Sequence, residues 1–362
     1  MMIERNYITM KAVVITEPGV VKVMDVPKPV WNEYECLVEV KASGICSSTD
    51  LKLINNDHPH NPNNPMRYPA MLGHEGVGRV IEVGAKVRNF KPGDRVLVPF
   101  SNIGHIPDDK YHVILGAMAE YSVAPDFTAM FEDGVENMYS ANYKDPKDFF
   151  CHAFPDDISY IDGAMILQFK EAFSAVRNLD VKEGMDILIF GDGSIGKSIS
   201  HFLGAYNVAS NIVVGHHDER LARIAKTAKP HLTINAKKGE MEKIKDKKFD
   251  IIVDAVGSVD IITSGAKMLK QCGKIVVVGV LPANETKLDL LCLPNFTSVV
   301  MLSFPYKEHR THDEVIGLMR SGFINASDYY SHVMPIDDAP EGIRMLETRE
   351  AFKVILTMNG GE

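Results

Sequence analysis

The chain has 362 residues, of which 45% are hydrophobic and 24% charged, and a formal net charge of −9 at pH 7. That length exceeds what one hydrophobic core organises, so two domains are expected. No apolar run approaches the ~18–20 residues needed to cross a bilayer, and the acidic balance argues against nucleic acid, whose phosphates need a concentrated basic surface.

Residues 1–6 lack the basic cluster and apolar stretch of a secretory leader. The five cysteines, Cys36, Cys46, Cys151, Cys272 and Cys292, are odd in number and irregularly spaced. Reduced thiols in the cytoplasm are therefore expected, with no disulfide framework. Short alternating or β-branched runs at 11–16, 36–40, 78–83 and 95–99, separated by Gly and Pro, predict a β-rich first domain. Residues 108–143 predict a long loop with small elements. From about Ile161 the pattern changes. Helical stretches of ten to fifteen residues alternate with fully apolar strands at 187–190, 211–214, 251–253 and 274–278, which predicts a parallel sheet with helices on both faces. The lysine-rich stretch 237–248 is interleaved with Glu240, Glu242 and Asp246, as a solvated face would be. An amphipathic helix over 311–321 and a strand over 353–358 close the chain, and that last strand is placed to return to the first domain. The expected division is 1–165 completed by 306–362, and 166–305.

Gly191-Asp192-Gly193-Ser194-Ile195-Gly196 ends the apolar strand and opens the helical stretch 194–206. In such a run the first glycine permits a tight turn, the second lets backbone approach a pyrophosphate, and the third allows close strand-to-helix packing. The phosphates then meet the positive end of the helix. An acidic residue at the end of the next strand would bond the ribose diol of NAD. Here that place is Gly215, followed by His216, His217, Asp218, Glu219 and Arg220. NADP(H) is therefore expected in preference to NAD(H), with Gly215, His216, His217 and Arg220 as candidate phosphate contacts. The competing reading has Asp218 bonding the ribose and NAD as cofactor.

Upstream, Cys46 lies in Gly44-Ile45-Cys46-Ser47-Ser48-Thr49-Asp50 and His74 in Gly73-His74-Glu75-Gly76-Val77-Gly78, followed by Lys91-Pro92-Gly93-Asp94-Arg95-Val96. Taken in order with the glycine run, these motifs resemble the medium-chain dehydrogenase/reductase superfamily over nearly the whole length. The resemblance implies an α/β protein with a GroES-like catalytic domain and a doubly wound Rossmann domain. It further implies a catalytic zinc on Cys46 and His74, with Glu75 as a neighbouring carboxylate able to enter or leave the coordination shell. The third ligand departs from the commoner Cys, Asp or Glu. Gln168 stands in the matching stretch, as in some sugar-dehydrogenase relatives, and Glu171 is the reserve. Such a set would polarise a bound alcohol more strongly than one with two anionic ligands. Residues 97–150 contain no cysteine, so the four-thiolate structural zinc of many relatives is not expected.

A zinc with three protein ligands keeps an open position where an alcohol can bind and lose its proton near neutral pH before hydride passes to nicotinamide. Ser48 or Thr49 would relay that proton, while Leu51 stands where relatives often have a histidine. The resemblance also sets Gly279 and Val280 beside the nicotinamide and Val256 and Gly257 near its ribose, and suggests a homodimer or homotetramer. The expected activity is a zinc-dependent hydride transfer between a secondary alcohol, polyol or sugar and NADP(H). The alternatives are a zinc-free NADPH-dependent reductase of an activated double bond and a non-catalytic nucleotide-binding relative.

Overall fold

The computed structural model describes residues 7–57, 66–99, 105–135, 145, 150–282, 287–302 and 307–361. It divides into two compact units, one running to Leu167 and resuming at Asn325, the other spanning Gln168–Ile324. No described helix is long and apolar enough to cross a membrane.

The first unit holds two sheets. One has four strands in the order Val20–Pro27, Thr9–Glu17, Ala70–Met71 and His112–Val113. The other runs His332–Pro335, Val354–Thr357, Glu35–Gly44, Glu75–Val83 and Arg95–Leu97, with Tyr121–Pro125 also paired to Glu35–Gly44. Val38, Val40, Ile45, Val80, Val96, Val354 and Leu356 pack into one apolar core between these strands. The chain's last strand therefore does come back to the first: Ile355 pairs Gly44, and Gly44 pairs Glu75. That register matters below, because it draws three distant stretches to one point.

The second unit is a six-stranded parallel sheet ordered Leu232–Asn235, Ser210–Gly215, Asp186–Phe190, Phe249–Asp254, Leu269–Val277 and Ser298–Met301. The crossover helices Ser194–Leu203, Asp218–Thr227 and Val259–Ala266 account for the apolar strands, since a parallel strand covered on both faces has no polar side. Ile187, Leu188, Ile189, Ile251, Ile252 and Val253 are all fully buried. Strand order reverses at Asp186–Phe190, and ligands of such sheets bind beyond the carboxyl ends of the strands at that reversal.

The expected strands appear with ends shifted by a few residues, and several short ones, such as Ala70–Met71 and Leu232–Asn235, carry no clear alternation in the sequence. The stretch 108–143 contains Tyr121–Pro125 and the helix Phe127–Glu132, while residues 136–144 lie outside the described part. The chain rejoins the first unit at Asn325, later than the expected 306. The reason is local bonding. Thr311 Oγ1 donates to the Lys170 carbonyl at 3.2 Å, and Glu314 on the helix His312–Arg320 pairs Arg177 at 2.7 Å.

Candidate metal corner and dinucleotide edge

Cys46 sits in the turn between the strand Glu35–Gly44 and the helix Thr49–Ile54, while His74 and Glu75 open the neighbouring strand. The pairing of Gly44 with Glu75 brings the two motifs together. One potential ligand atom from each of Cys46, His74 and Glu75 lies within 4.8 Å of the others, the one such group of three among the described residues. Asp50, wholly buried one helical turn beyond Cys46, organises them. Its Oδ2 accepts the Cys46 backbone N–H at 2.8 Å, and its Oδ1 lies 3.3 Å from His74 Nδ1. With Nδ1 turned to a carboxylate, Nε2 is the ring atom left for a ligand's role, the arrangement by which a second carboxylate orients a metal-binding imidazole. The Thr49 N–H points at Cys46 Sγ at 3.5 Å.

Lys353, immediately before the last strand, is buried and donates Nζ to Glu75 Oε2. Gly44 makes room for that pair, since a Cβ there would collide with the Glu75 carboxylate and lie 3.2 Å from Lys353 Cε. Burial would lower the His74 pKa, yet Asp50 and the Cys46 sulfur raise it well above its ordinary value. The corner thus favours positive charge. Beside Cys46, His74 and Glu75 the corner buries a second carboxylate, Asp50, and one lysine, Lys353. A sulfur, an imidazole and a carboxylate converging on one point are donors of the kind that zinc takes. The residues present fit the metal.

Ser48 occupies the N-cap position of the helix Thr49–Ile54 without bonding it through its side chain, so its hydroxyl is not spent on capping. Leu51, on the same helix, is buried.

Gln168 lies in the second unit on the helix Ile166–Asn178, with both ends of its amide engaged there. Oε1 accepts from Ser194 Oγ, and Nε2 donates to Ser198 Oγ at 3.0 Å. The amide ties that helix to the opening turn of the helix after the glycine run. Glu171 is half-buried on the same helix, and Lys170 is fully buried with Nζ 3.0 Å from His309 Nδ1.

The glycine run turns from the central strand into the helix Ser194–Leu203, with Gly193 at its N-cap. Gly191 has φ +129°, and a Cβ at Gly196 would strike the Gly191 carbonyl, whereas a Cβ at Gly193 would meet nothing. Open space at Gly193, over a helix N-terminus, is what an approaching pyrophosphate requires. Ser194 is buried against Gln168, and Ile195 is half-buried.

At the end of the next strand the carboxylate missing from residue 215 is supplied from elsewhere. Asp192, the second residue of the glycine run, lies against Gly215, and its Oδ2 accepts the N–H of His216 at 2.8 Å and that of His217 at 2.9 Å. It also lies 2.9 Å from His217 Nδ1. His216 is exposed and Arg220 is buried. Asp218 accepts from Asn235 Nδ2 at 2.7 Å and from Lys238 Nζ at 2.5 Å. On the other side of the reversal, Val256-Gly257 and Gly279-Val280 come together: a Cβ at Gly257 would strike the Val280 carbonyl. Buried Asp254 shapes this turn by accepting the N–H groups of Val256, Gly257 and Ser258 at 2.8–2.9 Å.

Sequence reasoning missed Asp50, Asp192, Asp254 and Lys353 as organisers. Asp50 and Asp192 lie inside the motifs, so their signal was present. Lys353 is 278 residues from its partner and has none.

Two family models match the chain, that of the alcohol dehydrogenase GroES-like domain over residues 32–131 and that of the zinc-binding dehydrogenases over residues 193–320. A sorbitol dehydrogenase of Bacillus subtilis (strain 168) is 28% identical over 360 residues, covering 97% of this chain and 98% of its own. A D-xylulose reductase of Saccharomyces cerevisiae is 25% identical, covering 92% and 93%. Among solved structures, zinc dependent alcohol dehydrogenase 2 from Streptococcus pneumonia has the same fold, with TM-score 0.77 at 23% identity over 98% of this chain and 99% of that one. The chain belongs to the zinc-dependent medium-chain dehydrogenase/reductase superfamily.

Proposed function

We propose that this protein transfers hydride between a secondary alcohol, polyol or sugar and a nicotinamide dinucleotide, NADP(H) in preference to NAD(H), at a single zinc held by Cys46, His74 and Glu75. The observation that carries this reading is the convergence of one possible ligand atom each from Cys46, His74 and Glu75 within 4.8 Å, backed by buried Asp50 and Lys353. Gln168, whose amide is bonded by Ser194 and Ser198, keeps a second carbonyl lone pair and stays in this reading as the further candidate ligand. Likeness to a sorbitol dehydrogenase and a D-xylulose reductase favours a polyol.

Zinc in this place supplies Lewis acidity toward the alcohol oxygen. The chain's own residues do the rest. Asp50 stands beside the imidazole Nδ1, Lys353 holds the Glu75 carboxylate, and the Ser48 hydroxyl, not spent on capping, accepts the substrate proton and passes it outward. Gly193 and the helix behind it take the pyrophosphate. The turns at Val256-Gly257 and Gly279-Val280 flank the nicotinamide end, and the donors of His216 and His217 beyond Gly215, now on Asp192, are those a 2′-phosphate would take.

The test is a panel of secondary alcohols, polyols, sugars and sugar phosphates assayed with each nicotinamide. The expected result is polyol-dependent reduction of NADP that chelation abolishes and zinc restores. Full activity in metal-free protein would overturn the zinc reading, and activity with NAD alone would overturn the cofactor preference.

We also infer a homodimer formed at the outer strand of the parallel sheet. Ser298–Met301 ends that sheet, and Leu290, Leu291, Phe296, Val300 and Met301 around it are exposed. An unpaired apolar strand edge is a template for a second copy. A monomer mass in light scattering would count against it. The five free cysteines suit the reducing cytoplasm.

A further inference from the structure

The donors at the end of the strand Ser210–Gly215 form an anion slot that is already filled from within the chain. Three N–H groups or ring nitrogens, His216 N, His217 N and His217 Nδ1, converge on a single oxygen of Asp192 at 2.8–2.9 Å. Asp192 is only 8% exposed, and no other residue type at 215 would leave it there, because a Cβ on Gly215 would stand 2.5 Å from the Asp192 Cβ and 2.6 Å from Oδ2. Gly215 thus marks the point where a dinucleotide's adenosine ribose is recognised, and its missing side chain is replaced in space by a carboxylate from the glycine run. The other acids nearby do not have this position. Asp218 is held by Lys238 and Asn235, and Glu219 is exposed on the helix that follows.

We propose that Asp192 is a specificity-determining residue that acts as an internal substitute for a ribose 2′-phosphate, holding the slot's donors and so restraining the preference for NADP(H) below what Gly215 alone would give. A 2′-phosphate must take the His216 and His217 donors from Asp192 and also sit beside its charge. A plain ribose, with a neutral hydroxyl, can leave the carboxylate in place. The carboxylate is a firm competitor: burial opposes its ionisation, but the two backbone N–H groups and the His217 ring hold its pKa below the ordinary value.

This inference rests on the reading of the second unit as a dinucleotide site, but not on which cofactor the wild-type protein prefers. The probes are 2′,5′-ADP and 5′-AMP, titrated by calorimetry into the full-length wild-type protein, Asp192→Asn and Asp192→Ser. Asparagine keeps the shape without the charge, and serine removes the carboxylate while retaining a small polar group, so one of the two reports even if the other disturbs the turn. In either variant, 2′,5′-ADP binding should tighten about tenfold or more while 5′-AMP changes less than threefold, the gain expected from removing one facing charge of about 1.4 kcal/mol. Parallel loss of both ligands would mean that Asp192 only builds the turn, and unchanged binding of both would mean that the slot is not used; each outcome overturns the proposal. Should the wild-type protein bind neither nucleotide, the dinucleotide reading falls first and takes this one with it.

Discussion

The metal corner and the dinucleotide edge both depend on buried aspartate and glutamate, yet the two use those carboxylates in opposite ways. At the corner, Asp50 and Glu75 face other side chains, His74 and Lys353, and the group's sulfur, imidazole and carboxylate converge as donors to a cation. At the edge, Asp192 and Asp254 face mainly backbone N–H groups of the turns they shape, and those turns are complete without a ligand. One region gathers donor atoms for an ion, whereas the other is preorganised by the chain's own backbone bonds. Metal loss and cofactor binding should therefore be separable.

The most severe way to break that comparison is to remove the thiolate. Cys46→Ala should lose zinc and lower alcohol-dependent cofactor reduction by roughly a thousandfold, the several kcal/mol of charge stabilisation that a metal supplies. Nucleotide affinity should change less than threefold. Metal content by mass spectrometry and cofactor binding by fluorescence quenching check the two halves, and a comparable loss of cofactor affinity would show that the edge depends on the corner.

A smaller effect sharpens the electrostatic side of the contrast. Lys353→Met leaves the Glu75 carboxyl group without its partner in a site where both groups are only 3% exposed. Removing one partner of a buried pair costs about 3–5 kcal/mol, whereas replacing both with neutral groups costs far less. Urea unfolding of the zinc-free chain should accordingly show Lys353→Met as strongly destabilised, with Glu75→Gln in the same chain restoring most of the loss. If the double variant is as unstable as the single one, Lys353 acts through packing and not through charge.

The same contrast explains what could be read from the sequence. The edge was legible because its motif is local. Gly191, Gly193 and Gly196 lie within six residues, and the apolar strand and helix that frame them have their own periodicity. The corner was legible only as far as its two short motifs. Cys46 and His74 stand out by their flanking residues, but the pairing of Glu75 with Lys353 depends on a strand register set at the far end of the chain, where a lysine before a strand looks like any solvated lysine. Gln168 illustrates the same limit. Its place in the chain suggested a ligand, but nothing local in the sequence announces that hydroxyls of a helix some thirty residues downstream bond its amide. Asp192 was visible inside the glycine run, but its fold-back onto His216 and His217 depends on the spacing of two adjacent parallel strands, which only the assembled sheet defines.

The gentlest test concerns pH and separates the edge's carboxylate from the corner. Asp192 has a folded pKa below its ordinary value, because the His216 and His217 N–H groups and the His217 ring outweigh the burial that would raise it. A depressed folded pKa contributes stability that is fully present above the unfolded value, about 3.9 for aspartate, and is lost as pH falls through the folded one. Wild-type protein should therefore be more stable than Asp192→Asn by on the order of 1–2 kcal/mol, the worth of hydrogen bonds to a charged acceptor. The part of that margin supplied by the two backbone N–H groups should persist between pH 5 and pH 8, and the whole should shrink as the solution is taken below the ordinary carboxylate range. Thermal melts of the two proteins across that range measure it. A margin that instead disappears on raising pH would mean that the stabilisation comes from a protonated partner and not from the carboxylate, and the resemblance of Asp192 to a bound phosphate would lose its physical basis.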